Sequence, residues 1–183
     1  MKIGDYIDEA IDKVFLEEPE HALVQISIAV DATAREKYGS NKVGDRIRKF
    51  ATENEVFILN TALNGIVTFQ PNATTFSSLG KFDDIVYKVI RCPSVHGDDV
   101  SKHIVYLKEC RVGLDDGKFI VTPLFLWGLI FSVVGEVVNS TQILKKNYQV
   151  QFGRLRLNLN DFWGQMDKLK STVTTAQRSM FNQ

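Results

Sequence analysis

Residues 122–138 read TPLFLWGLIFSVVGEVV, a run that is apolar on every face until Glu136. A helix with no polar face has to be surrounded by other parts of the chain or by lipid. The run falls short of the roughly 20 residues that a bilayer core requires, and no Lys or Arg flanks its start closely. The expectation is a central helix over 123–138 in a folded core, with no membrane partner. The remaining elements must therefore be amphipathic and pack around it.

They have that character. Residues 3–17 place Ile3, Ile7, Ala10, Ile11, Val14 and Phe15 at helical spacing, with acids and Lys13 between them. Pro19 suits the first turn of a second helix over 20–38, and Gly39 suits its C-cap. Residues 42–63 continue as one or two helices. Pro71, Asn72 and a Thr/Ser cluster make 65–78 a loop. Ser77 or Ser78 can cap a helix over 79–92 whose inner side carries Phe82, Ile85, Val86, Val89 and Ile90.

After that helix the pattern changes period. HIVYLKE (103–109) and KFIV (118–121) are short strand-like runs with Gly113-Leu114-Asp115-Asp116-Gly117 between them, which predicts a β-hairpin over about 103–121. A second alternating run covers 148–157. Asn158 or Asn160 then caps a last helix over about 161–176, and the final residues, RSMFNQ, are expected to fray. The fold class that follows is mainly α: a helical bundle with a small β-hairpin after the 79–92 helix, in one domain over 1–183. Helices 20–38, 79–92 and 123–138 form its core.

Composition excludes several functions. Lys plus Arg and Asp plus Glu are equal at 22 each, so the basic excess common in proteins that grip long nucleic acids is absent. Two cysteines, Cys92 and Cys110, and three scattered histidines supply no four-ligand cluster, so neither a metal nor a cofactor is expected. A disulfide between the cysteines is open, but a reduced pair is favoured. With no apolar leader at the N-terminus, the expected location is the cytoplasm. There is no P-loop, GxGxxG, GxSxG or HExxH.

The segment that can carry chemistry is Arg91-Cys92-Pro93-Ser94-Val95-His96, in the phrase YKVIRCPSVHG at the end of an amphipathic helix. Upstream, Ala29-Val30-Asp31-Ala32-Thr33-Ala34-Arg35 places an acid inside an apolar helical run. Together these resemble the HEPN superfamily (higher eukaryotes and prokaryotes nucleotide-binding), over about residues 3–97. That family's signature is a helix-ending Arg followed four to six residues later by His. The resemblance implies a HEPN-like bundle formed by about 3–97 and 123–138. It also implies a metal-independent endoribonuclease acting in toxin biology or phage–host conflict, with Arg91 and His96 catalytic and two motifs facing each other in a homodimer. Position 92 is Cys where RNA-cleaving members carry Asn, Asp or His. Pro93 is expected to break or kink the helix near Cys92.

The chemistry fits those residue types. Cleavage without metal needs a proton acceptor for the 2′-hydroxyl, a proton donor for the leaving oxygen and a cation on the phosphorane. A His titrates near neutrality, and an Arg offers a forked, permanently charged donor set. The partner implied is thus RNA or a small nucleotide, and the alternative from the same resemblance is a non-catalytic HEPN-like protein that binds or sequesters a nucleotide ligand or a protein partner. A purely structural reading also stands: Arg91 can pair with Asp83, Asp84 or Asp98, and His96 can cap a helix end. Asp31 has an obvious local partner in Arg35, one turn on. Arg154 and Arg156, near Lys145 and Lys146, form the most basic region of the C-terminal half and a candidate anion contact. Asp31, Arg35, Arg154 and Arg156 are thus the candidate ligand-binding residues.

Overall fold

A computed structural model describes residues 2–39, 42–64, 75–76, 79–93, 99–152 and 155–181. The chain is mainly α. Helix α1 (Ile3–Phe15) buries Ile3, Ile7, Ala10 and Ile11 against α2 (Pro19–Tyr38), and a three-residue turn joins them. Gly39 ends α2 with φ +77, the left-handed backbone that suits glycine. Residues 42–63 form one helix, α3 (Val43–Ala62).

The apolar run forms α5 (Pro123–Gly135), capped by the Thr122 hydroxyl, which accepts from the Phe125 N–H at 3.2 Å. Every residue from Phe125 to Gly135 is buried. The helix can sit centrally because Gly128 lets α3 approach. A Cβ at that position would lie 2.9 Å from the Ile58 carbonyl oxygen and 3.1 Å from the Ile58 Cα. Among the described residues no helix is long and apolar enough to cross a membrane.

Helix α5 stops three residues before the expected end. Buried Asn139 explains the stop: its amide donates to the Val133 carbonyl at 2.7 Å and to the Thr33 hydroxyl at 3.0 Å. The side chain thus takes a terminal carbonyl of α5 and ties that end to α2. The chain between them turns through a 3₁₀ segment, Val137–Asn139.

The helix expected over 79–92 starts later and has a different form. Gly80 (φ +87) and Lys81 form β2 (Gly80–Lys81), antiparallel to β1 (Thr75–Phe76). Helix α4 therefore opens at Phe82–Asp84 and continues as a π-helix, Ile85–Arg91. Ser77 and Ser78, the expected caps, lie outside the described residues. The Cys92 N–H donates to the Tyr87 carbonyl, five residues back. Residues 92 and 93 stay helical, and the break or kink expected near Cys92 takes the form of a widened turn. The physical reason is the proline ring, which clashes with the carbonyl four residues back in an α-helix; i→i+5 bonding moves that carbonyl away.

The hairpin over 103–121 needs correction. Strand β3 (Ile104–Tyr106) pairs parallel with β5 (Lys118–Val121), and only the short β4 (Leu114–Asp115) pairs antiparallel with β5. Asp116 (φ +46) and Gly117 (φ +73) make the tight turn between β4 and β5, the two-residue geometry that Asp-Gly favours. The turn chemistry thus acts locally, and residues 107–113 carry the chain back so that β3 joins from the other side. Strands β6 (Gln149–Phe152) and β7 (Leu155–Asn158) form a true hairpin.

The last helix, α6 (Met166–Phe181), also starts later than expected and runs further. Asn160 does not cap it: its side-chain oxygen accepts from the Leu144 N–H at 2.8 Å and the Trp163 indole at 3.3 Å. Asn158 caps a 3₁₀ turn, Leu159–Phe162, and Gly164 (φ +73) then reverses the chain before α6 begins.

Candidate functional site

Asp31 lies on α2 where that helix meets the start of α3 and the end of α4. Its carboxylate is shared. Arg46, in the second turn of α3, donates through Nε (2.8 Å) and Nη2 (2.6 Å) to Oδ1. Arg91, the last residue of the π-helix, reaches Oδ2 through Nη2 at 3.4 Å. The side chains are 22% (Asp31), 11% (Arg46) and 13% (Arg91) exposed, so all three charges are largely withdrawn from water.

The expected Asp31–Arg35 pair is therefore a correction. Arg35 is exposed and makes no ion pair among the described residues. The reason is energetic. An exposed i,i+4 pair is worth only a few tenths of a kcal/mol, whereas two largely buried guanidiniums need an anion close by. The carboxylate turns inward to them, and Arg35 is left at the rim of a pocket. That pocket, of about 200 Å³, is lined by Tyr6 of α1, Ile28, Asp31, Ala32 and Arg35 of α2, and Arg46 of α3.

Arg91 also does not pair with Asp83 or Asp84. Asp84 accepts from Arg48 Nε at 2.9 Å and lies 3.2 Å from Lys88, and Arg48 first, then Lys88, hold its carboxyl below the usual carboxylate range. The Arg48 guanidinium stacks 4.4 Å over the Tyr87 ring. These contacts fasten the π-helix to α3 and so aim Arg91 at Asp31. His96 and Asp98 lie outside the described residues. Arg46 and Arg48 were not singled out from the sequence. Arg46 left one usable signal: a cation near a helix N-terminus opposes the helix dipole, so something else must hold it.

The two lysines of the basic region in the C-terminal half are neutralised. Lys145 pairs with Asp5, and Lys146 with Asp12, both on α1. The Lys145 N–H also donates to the buried Asp8 carboxylate at 2.8 Å. The hydroxyl of Tyr148 lies 2.8 Å from Asp12 Oδ1, and its pKa is raised by burial first and by Asp12 second. Arg156 is exposed on β7, opposite Gln151, and Arg154 lies outside the described residues. Arg156 is not among the residues that meet Asp31 or line the pocket beside it.

A second polar cluster joins the C-terminal ends of α2 and α5 to the middle of α3. Lys37 bridges Glu53 and Glu136 at 2.8 Å each, Asn54 donates to Glu136, and the Tyr38 hydroxyl donates to Glu53 at 2.7 Å. Burial pulls the Lys37 pKa down, but the two carboxylates overcome it and hold the ammonium above its ordinary value. Every charge there has a partner, and the cluster ties α2, α3 and the end of α5 together. Cys92 and Cys110 are both free thiols; Cys110 donates to the Ala62 carbonyl, and burial pushes its pKa up. Among the described residues no group of three or more His, Cys, Asp or Glu side chains could hold a metal ion.

Fold and site together define a mainly α protein whose distinguishing feature is one aspartate shared by two arginines at a junction of three helices. The chain matches the Rv1289 family over residues 2–182, nearly its whole length, and belongs to that family. No curated protein and no solved structure matches it.

Proposed function

We propose that this protein is a HEPN-like domain that handles a phosphate-bearing ligand, RNA or a small nucleotide, at the Asp31–Arg46–Arg91 junction. One observation carries the reading. Its two motif elements, the acid in the 29–35 run and the helix-ending arginine, are 60 residues apart in sequence, and their side chains meet at 3.4 Å. The carboxylate positions the Arg91 guanidinium, whose fork suits phosphate. The π-turn that precedes it is a distortion often found at functional sites.

In the catalytic form of this reading the protein is a metal-independent endoribonuclease, acting in toxin biology or phage–host conflict in the cytoplasm. His96 transfers protons, Arg91 stabilises the phosphorane, and a homodimer supplies the second His. The non-catalytic form keeps the phosphate contact and binds or sequesters the ligand. The Arg91–Asp31 contact favours the binding step common to both.

The experiment is cleavage of single-stranded RNA in EDTA, with the oligomeric state measured by light scattering and ligand affinity by calorimetry on the same samples. Cyclic-phosphate products from a dimer, abolished in His96→Ala, establish the ribonuclease; proton transfer by a positioned His is worth about 10²–10⁴ in rate. An inactive parent that binds RNA or nucleotide, and loses that affinity in Arg91→Ala, selects the binding form. A parent that neither cleaves nor binds removes the proposal.

A further inference from the structure

The pocket beside the junction adds a ligand class. We infer that it holds the terminal phosphate of a nucleotide or RNA end, a phosphomonoester, and that Arg35 is the residue that contacts it. The inference rests on the phosphate-handling reading and makes it more specific. Arg35 carries the argument. Its natural partner one turn back, Asp31, is turned away to Arg46 and Arg91. Arg35 is an exposed residue that lines the pocket and makes no ion pair among the described residues. The lining has two arginines and one carboxylate, a net charge of +1. Asp31 is held against Arg46, so the cation presented to an incoming group is Arg35.

Size and shape narrow the class. Pockets that enclose whole small molecules span roughly 300–1,000 Å³. At about 200 Å³ this one takes a phosphate with part of its sugar rather than a whole nucleotide. A terminal phosphate continues into its ligand on one side only, which suits a pocket smaller than a whole small molecule needs. The terminal group also carries a charge of about −1.5 to −2 at neutral pH and three acceptor oxygens, which suit an arginine fork. Tyr6, Ile28 and Ala32 supply the less polar wall against which the attached sugar rests.

The test compares one short single-stranded RNA in unphosphorylated, 5′-phosphorylated and 3′-phosphorylated forms, with 5′-AMP against adenosine as compact probes. Binding is followed by calorimetry to the full chain. A terminal phosphate at one end should tighten binding about tenfold or more, in line with one charge-assisted contact. AMP should exceed adenosine by a similar factor. That increment should vanish in Arg35→Ala and return in part in Arg35→Lys, with the melting temperature unchanged in both because the side chain is exposed. Equal affinity for phosphorylated and unphosphorylated forms overturns the inference, as does an increment that survives Arg35→Ala or a parent that binds none of the probes. The two readings fail separately. If unphosphorylated RNA binds through Arg91 without any increment, only the terminal-phosphate pocket is wrong. If the increment stands while Arg91→Ala keeps full affinity, the junction reading is wrong.

Discussion

Replacing Asp31 tests the junction through stability. The carboxylate accepts two bonds from Arg46 and one longer one from Arg91, and both arginine side chains are nearly nine-tenths buried. A hydrogen bond to a charged group contributes roughly 1.5–3 kcal/mol. Removing one member of a buried ion pair costs about 3–5 kcal/mol, because the other charge is stranded. Asp31 is itself about a fifth exposed, so water enters and recovers part of that cost. We expect Asp31→Ala to lower unfolding free energy by about 2–3 kcal/mol and Asp31→Asn by about 1–2 kcal/mol, since the amide keeps one acceptor but loses the charge. The assay is urea unfolding followed by circular dichroism, extended to double-mutant cycles with Arg46→Ala and Arg35→Ala. Coupling between Asp31 and Arg46 should lie at about 1–3 kcal/mol, and coupling with Arg35 below about 0.5 kcal/mol. An Asp31→Ala variant within about 0.5 kcal/mol of the parent, or stronger coupling to Arg35 than to Arg46, would refute the reasoning, because a change that small is typical of a free surface site.

Two further outcomes follow from the core and from α1. Ile130 is fully buried in α5, and Ile130→Asp puts an unpaired charge there; it should leave no soluble folded protein, since the cost of several kcal/mol approaches a typical stability margin of about 5–15 kcal/mol, and a soluble variant with native circular dichroism would show that α5 is not central. Asp5 and Asp12 are held below the usual carboxylate range, Asp5 first by Lys145 and Asp12 first by Lys146. A depressed carboxylate contributes its stability above the unfolded pKa and loses it as pH falls through the lower folded value, so the melting temperature should fall as pH is taken below about 4. Lys146→Ala should make that fall shallower, and a fall of unchanged steepness between pH 5 and pH 2 would show that Asp12 is not linked to folding.

Much of the architecture was legible from local pattern. Helical spacing in 3–17, Pro19 and Gly39 around the second helix, and the all-apolar 123–135 run specified elements whose burial does not depend on which partner covers them. Asp116-Gly117 likewise specified its turn through backbone conformation alone. The sequence also marked Asp31, because an acid inside an apolar run is locally unusual, and the resemblance to the HEPN signature marked Arg91.

The tertiary structure decided which groups meet. Local spacing offers Arg35 to Asp31, but Arg46 and Arg91 arrive from 15 and 60 residues away and take the carboxylate. Spacing suggests a basic patch at Lys145 and Lys146, but α1 lays Asp5 and Asp12 over it. Period-two patterning shows that 104–106 is a strand, yet not that it pairs parallel with β5. The physical reason is the same in each case. A helix or a turn is set by interactions within a few residues, so its signal lies along the chain. A buried charge is paid for by whichever opposite charge the packing brings within about 3 Å, and strand pairing depends on which edge the fold leaves open. Neither is written in any short stretch of sequence, which is why Asp31 and Arg91 could be named in advance while Arg46 and the contacts among the three came only from the fold.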